Sequence, residues 1–345
     1  MLYKRHRLDV AGAALIGDDP FKRSEALEIV QAWRETHLPV LQLLNAQIAK
    51  YFEGHGVQSS IPPSMRVKRL SSIEAKLRNN RKGGMKLGGM QDIGGARYVF
   101  AGIDELDAAE RLLDAFAPQG FELARKSDYI ARPKESGYRS VHYVYKYQCD
   151  DGKYNGISIE VQIRTRLQHA WAMAVETASL ISNATLKADL DNEQEWRAFF
   201  KLVSALFARK ENKPIGSMYS GFSDKDFCDE YFRFEEKRLI DQFRALRITV
   251  NFEFEENYTT GYCVLVIDYS KKMVSARAFP IDKTEAAYKT FNQIETDALN
   301  RCDTATLMVA MEKIREIKEA YPSYFLDTDA FLTYLEEFEQ LCRRL

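Results

Sequence analysis

The chain has 345 residues, 46% of them hydrophobic, and its 49 Lys and Arg against 50 Asp and Glu leave a formal charge of −1. That length suggests about two domains with enough apolar content to fill a core, and so balanced a charge does not demand RNA, so any anion site has to be local. No apolar run is long enough to cross a bilayer, residues 1–7 lack the apolar stretch of a signal peptide, and the five cysteines (Cys149, Cys228, Cys263, Cys302, Cys342) are odd in number without paired metal spacing, which argues against zinc or a disulfide framework and for a reducing, cytoplasmic setting.

In chain order, residues 20–54 read as one long helix, with Ile29, Trp33, Leu38, Leu41, Leu44 and Ile48 forming a core-facing stripe. The next segment is basic. From residue 65 to residue 90 there are eight Lys and Arg against the single acid Glu74. Ser72 is placed to cap a short helix that carries Lys76 and brings it near Arg66 and Lys68, which would offer a triphosphate several donors at a helix N-terminus. Asp92 then precedes Gly94 and Gly95, read as a glycine turn that feeds an apolar strand with the carboxylate at its mouth.

Further strands are expected at 96–102, 120–124, 140–148 and 157–165, with helices at 104–116 and 166–180. This makes an α+β fold, a mixed sheet with helices on its faces. The loop at 126–142 is rich in Lys, Arg and Tyr. In it Tyr138 follows Gly137 and can offer a flat face to a base, while Arg132 and Lys134 face phosphate, although one tyrosine equally suits a core position, as does His142. In the last strand Ile157, Ile159, Val161 and Ile163 alternate with Ser158, Glu160, Gln162 and Arg164, so Glu160 shares a polar face with Gln162 and Arg164. Two carboxylates on neighbouring strand ends, Asp92 and Glu160, are enough for a magnesium ion whose other positions go to water and phosphate.

These blocks resemble, across roughly residues 66–176, the synthetase domain of the RelA/SpoT family, the alarmone synthetases. The resemblance implies transfer of the β,γ-pyrophosphate of ATP to a ribose 3′-hydroxyl with release of AMP. It implies that Arg66, Lys68, Ser72, Lys76 and Arg97 belong to the ATP site and that Asp92 and Glu160 are catalytic and hold Mg2+. Lys134, Tyr138, His142, Gln162 and Arg164 would serve the acceptor. In the following helix Trp171 and Glu176 would support the site.

Beyond it, polar helices are expected at 191–210 and 224–247 around a loop at 212–217. Strands at 248–255, 261–269 and 274–280, a helix at 284–300, a strand at 304–310 and helices from 312 and 327 then form a small α/β unit. The chain is thereby divided into an N-terminal helical part (1–60), a synthetase-like core (61–185), linking helices (186–247) and a C-terminal domain (248–345). Tyr321 and Tyr324 within Ala320–Tyr324 resemble the Tyr-x-x-Tyr pair of the CapRel group, fused toxin and antitoxin proteins whose C-terminal domain is described as a degenerate zinc finger. That resemblance implies an autoinhibitory C-terminal domain, with Tyr321 and Tyr324 in the ATP pocket. It also implies pyrophosphorylation of the 3′-CCA end of tRNA and a phage major capsid protein as trigger; the alternative acceptor is GDP or GTP. The acidic stretch from Asp327 to Glu339 is expected to complement the cationic segment around Arg66.

Overall fold

Alternation of apolar and polar residues around Glu160 does make a strand, and that strand is interior to a sheet. In the computed structural model, which describes residues 4–79, 84–148, 152, 154–185, 190–236, 251–253, 261–268, 273–298, 304–311 and 328–344, β5 (Ser158–Thr165) lies between β4 (Val141–Tyr147) and β2 (Gly94–Phe100). It runs antiparallel to β4 and parallel to β2. With β1 (Ser64–Val67), β3 (Phe121–Asp128), β6 (Asn251–Glu253), β7 (Gly261–Asp268), β8 (Met273–Pro280) and β9 (Thr304–Met311), the order is β3-β4-β5-β2-β1-β9-β7-β8-β6. The mixed sheet expected from sequence is therefore present. The C-terminal strands continue it, because β9 pairs with β1 at Arg66 and Val309.

The alternating side chains sort onto two faces. Ile159, Val161 and Ile163 enter a core shared with α1 (Arg5–Leu15), α2 (Pro20–Glu35), α3 (His37–Gly54) and α5 (Ile103–Ala115). Tyr288, Phe291 and Met308 of the C-terminal unit join the same core, contributed by α9 (Thr284–Ala298) and β9. A second cluster is built by α6 (Arg166–Thr185), α7 (Leu190–Lys210), α8 (Asp224–Glu236) and α10 (Asp329–Cys342). The polar face of β5 looks toward the space between these layers.

Several expectations need correction. The single helix expected at 20–54 is two, α2 and α3, divided at Thr36. The cause is Pro39, which has no N–H and whose ring would clash with the carbonyl of Glu35 if the helix ran through. α2 itself starts cleanly, with Pro20 at its first turn and the Asp19 carboxylate accepting the N–H groups of Phe21 (3.1 Å) and Lys22 (3.2 Å). Gly94 and Gly95 are not a turn but the first residues of β2. A Cβ on Gly94 would stand 2.9 Å from Ile159 Cδ1 and 3.1 Å from His37 Cβ, so the glycine serves close approach of α3 to the sheet.

Ser72 does not cap α4 (Leu70–Asn79), since that helix begins two residues earlier. The cysteines also depart from the expectation of unpaired thiols: Cys228 on α8 and Cys342 on α10 form a disulfide. Their partners are 114 residues apart, and no local spacing reveals such a pair. The degenerate zinc finger finds no support, since among the described residues no group of three or more His, Cys, Asp or Glu is placed to hold a metal. Two acids of the described part of the acidic stretch, Glu337 and Glu339, pair with other elements and not with Arg66. Glu339 is buried and accepts the Tyr231 hydroxyl at 2.7 Å, and Glu337 pairs with Lys210 at 2.5 Å, which ties α10 to α8 and α7. Tyr321 and Tyr324 lie outside the described residues. Among those residues no helix is long and apolar enough to cross a membrane.

A cross-link closing a loop of 114 residues restricts the unfolded chain, which gives about 5 kcal/mol on the usual loop-entropy argument. Cys228→Ser should therefore melt several degrees below the oxidised wild type, and the two should converge in excess reductant. Identical melting curves under oxidising conditions would show that the bridge contributes nothing.

Candidate active site

Two carboxylates meet because two strands run parallel. Gly95 of β2 is in register with Glu160 of β5, and Asp92 lies two residues before the start of β2. Both acids line one cleft with Arg66, Lys68 and Arg97. They also line an adjoining cavity of about 480 Å3 that extends to Lys134, Tyr138 and His142. Of the residues expected from sequence, Arg66, Lys68, Lys76, Asp92, Arg97, Lys134, Tyr138, His142, Glu160, Gln162 and Arg164 all border one or both of these spaces. Ser72 does not; it sits in the first turn of α4. Trp171 and Glu176 of α6 form part of the cavity wall.

At one end Asp92 Oδ2 accepts from Lys68 Nζ at 3.0 Å and Lys76 Nζ at 2.8 Å. Burial alone would raise the Asp92 carboxyl, but the two ammonium groups outweigh it and hold the value at about 2. The same burial lowers Lys68, with Asp92 offsetting part of the effect. Asp92 Oδ1 is buried and finds no hydrogen-bond partner among the described residues. A hard anionic oxygen with unused lone pairs, beside a second carboxylate, fits a divalent cation of the magnesium kind, which takes only one or two protein carboxylates. Asp92 and Glu160 would hold it.

Glu160 is braced from two sides. Its Oε1 accepts from His142 Nδ1 at 2.9 Å and its Oε2 from Gln162 Nε2 at 2.7 Å. Burial and the nearby Asp92 charge push its carboxyl up, yet these hydrogen bonds and the His142 charge win and keep it below its ordinary value. It is ionised at neutral pH. On the other ring nitrogen, His142 Nε2 meets the Tyr138 hydroxyl at 2.9 Å. A continuous chain thus runs from Tyr138 through His142 and Glu160 to Gln162. The register explains it, since His142 of β4 lies opposite Gln162, which in turn lies opposite Arg97 of β2.

Tyr138 is half-buried, with its ring 6.5 Å from that of Trp171. Lys134 places its ammonium 4.3 Å from the Tyr129 ring centre and 5.0 Å from that of Tyr138, a cation held against aromatic faces. Gly137 adopts φ +90°, and a Cβ there would meet Ser204 at 2.9 Å, so only glycine lets the loop close on α7. Arg132 is exposed and away from the cavity wall.

Sequence reasoning did not single out Arg125 or Tyr129, which also face the cavity. Arg125 follows a bulge at which Ala124 is the extra residue of β3, and bulges re-aim side chains. It also left open how the arginines are arranged. Glu176 lies 3.8 Å from Arg66 and 3.6 Å from Arg69, and although burial would raise its carboxyl, Arg66, Arg69, Arg97 and Arg164 keep it low. Arg164 is buried and donates to His169 Nδ1 at 2.6 Å. Burial and that guanidinium keep the imidazole neutral and therefore able to accept. The arrangement is a phosphate-grade nest of arginines next to an anionic pair.

Residues 65–181 match the model of a family described as a region found in RelA / SpoT proteins. A curated relative, GTP pyrophosphokinase YjbM of Bacillus subtilis (strain 168), is 38% identical over 109 residues, which are 31% of this chain and 50% of that protein. The match thus spans about half the length of the curated relative. Among solved structures, the small alarmone synthetase 1 from Bacillus subtilis bound to its product pppGpp is 28% identical, with 52% of this chain and 89% of that one covered at a TM-score of 0.40. A GTP pyrophosphokinase family protein from Streptococcus pneumoniae is 22% identical, with 62% and 94% covered at a TM-score of 0.40.

The depressed Asp92 carboxyl has a checkable cause. Because its folded value lies below the ordinary 3.8, the cluster contributes stability above that pH and loses it as pH falls through about 2. In Lys76→Met one of the two charges is gone, so Asp92 should titrate closer to 3.8 in a carboxyl-carbon NMR experiment. An unmoved titration would mean that the lysines do not set it.

Proposed function

We propose that the RelA/SpoT-type region makes this chain a pyrophosphokinase that moves the β,γ-diphosphate of ATP onto the 3′-hydroxyl of GDP or GTP and releases AMP. The carrying observation is that one cavity joins the Asp92 and Glu160 carboxylates, with Lys68 and Lys76 beside them, to a wall of Tyr138, Tyr129 and Lys134. That wall suits a base and its phosphates, because flat aromatic faces stack and the ammonium attracts. The guanine-nucleotide activity in the relative's name supports the choice of acceptor.

Chemically, the hydroxyl oxygen bonds to the β-phosphorus while the bond from that phosphorus to the oxygen bridging α and β breaks. The transition state is mostly a matter of alignment and of balancing phosphate charge. Arg66, Lys68, Lys76 and Arg97 supply the cations around the triphosphate. Glu160, held in place by His142 and Gln162, orients the attacking hydroxyl and takes its proton as the new bond forms, while AMP leaves with the bridging oxygen. Magnesium, when bound at Asp92 and Glu160, neutralises phosphate charge.

A second acceptor, the 3′ end of tRNA, is favoured by one observation. α1, whose first residues include Arg5 and Arg7, packs against Gly88 and Gly89 beside the cavity mouth, so RNA phosphates would find cations there. The reading as a fused toxin and antitoxin in phage defence, released by a capsid protein, rests on the CapRel resemblance of Tyr321 and Tyr324. A point substitution at Tyr321 probes it better than truncation, because β9 lies between β1 and β7 and its removal would open the sheet.

ATP labelled in its γ-phosphate, offered with GDP, GTP or tRNA, tests the proposal. Label on the guanine nucleotide with matching AMP release is expected, falling roughly a thousandfold in Asp92→Asn and Glu160→Gln at unchanged melting temperature. Label on RNA alone would replace the acceptor, and label on neither would overturn the reading.

A further inference from the structure

One buried carboxylate outside the RelA/SpoT region touches the backbone of the phosphate-donor segment. Glu295 on α9 is 7% exposed, and its Oε1 accepts the backbone N–H of Leu70, the first residue of α4, at 2.8 Å. Its Oε2 pairs with Arg34 Nη1 at 2.6 Å. Arg34, 1% exposed, donates from Nε to the carbonyl of Lys68 at 2.9 Å and lies over the Phe291 ring. A single ion pair therefore grips Lys68 by its carbonyl and Leu70 by its amide. Lys68 and Lys76, one just before α4 and one on it, are the residues whose ammonium groups converge on Asp92.

We propose that Glu295 is a positioning residue for the ATP site, so that the C-terminal unit, through α9, completes the donor pocket of the pyrophosphokinase. This rests on the function proposed above. The first N–H groups of a helix have no partner within it, and a carboxylate there is doubly favoured, by hydrogen bonding and by the helix dipole. A fold needing only stability would gain little from this arrangement, because buried ion pairs are often matched by apolar residues of the same size. What apolar residues cannot do is hold two backbone groups at fixed positions. β9 supports the same strand from the side, since it pairs with β1 at Arg66.

The double variant Arg34→Met/Glu295→Met separates positioning from stability, with Glu295→Gln as the conservative partner that keeps an acceptor for Leu70. Expected for the double variant are a KM for ATP raised about tenfold, an unchanged KM for the acceptor, and faster amide exchange at residues 68–76 without nucleotide. Glu295→Gln should recover part of both effects. The inference is overturned if exchange and KM for ATP stay at wild-type values in a folded variant, or if both substrates weaken together with a collapsed melting temperature in both variants. Faster exchange in a chain whose wild type transfers no diphosphate would sustain the positioning role and overturn the function proposed above.

Discussion

Parallel pairing of β2 with β5 is the constraint on which the candidate site depends. In a parallel pair the ends of both strands point the same way, so the acid before one strand and the acid within the other are brought to the same rim. Register then does the rest, with Gly95 opposite Glu160 and Arg97 opposite Gln162. A shift by one residue would turn Glu160 and Gln162 into the apolar core and send Ile159 and Val161 to the cavity. The core prevents this, since Ile159, Val161 and Ile163 are fully buried among the residues of α3 and α5. Hydrophobic packing on one face thus holds charged chemistry on the other.

The electrostatics of the cavity follow a consistent scheme. Each acid is compensated locally, Asp92 by two lysines, Glu160 by His142 and Gln162, and Glu176 by arginines. Each stays ionised despite burial, because the nearby cations and donors outweigh desolvation. Such groups are costly to bury unless paired, so their gathering around one cavity marks a site prepared for a highly charged ligand.

The C-terminal unit is joined to this site in two different ways. Through β9 and α9 it shares the sheet and the core that support β1 and α4. Through α10 it packs on the helices that wall the cavity from the other side, fastened by the bridge from Cys228 to Cys342. The same segment thus reaches the backbone before α4 through Glu295 and the Trp171 wall of the cavity by apolar packing, with Phe331, Leu332 and Leu335 buried in the cluster that contains Trp171.

Local pattern alone determined a good deal. Alternation at 157–163 located β5 and its polar face, the basic run located cations that border the cavity and its adjoining cleft, and Gly137 before Tyr138 marked the aromatic loop, because each signal is written in neighbouring residues. The break at Thr36 was legible too, in Pro39, although the apolar stripe across it masked the signal. Only the tertiary structure decided that Arg164 is buried against His169, that Leu70 rather than Ser72 begins the helix under the carboxylate of Glu295, and that Cys228 meets Cys342. Those are contacts between residues distant in the chain or hidden by other elements, and a periodicity of two or of 3.6 residues carries no information about what will pack on the face it defines.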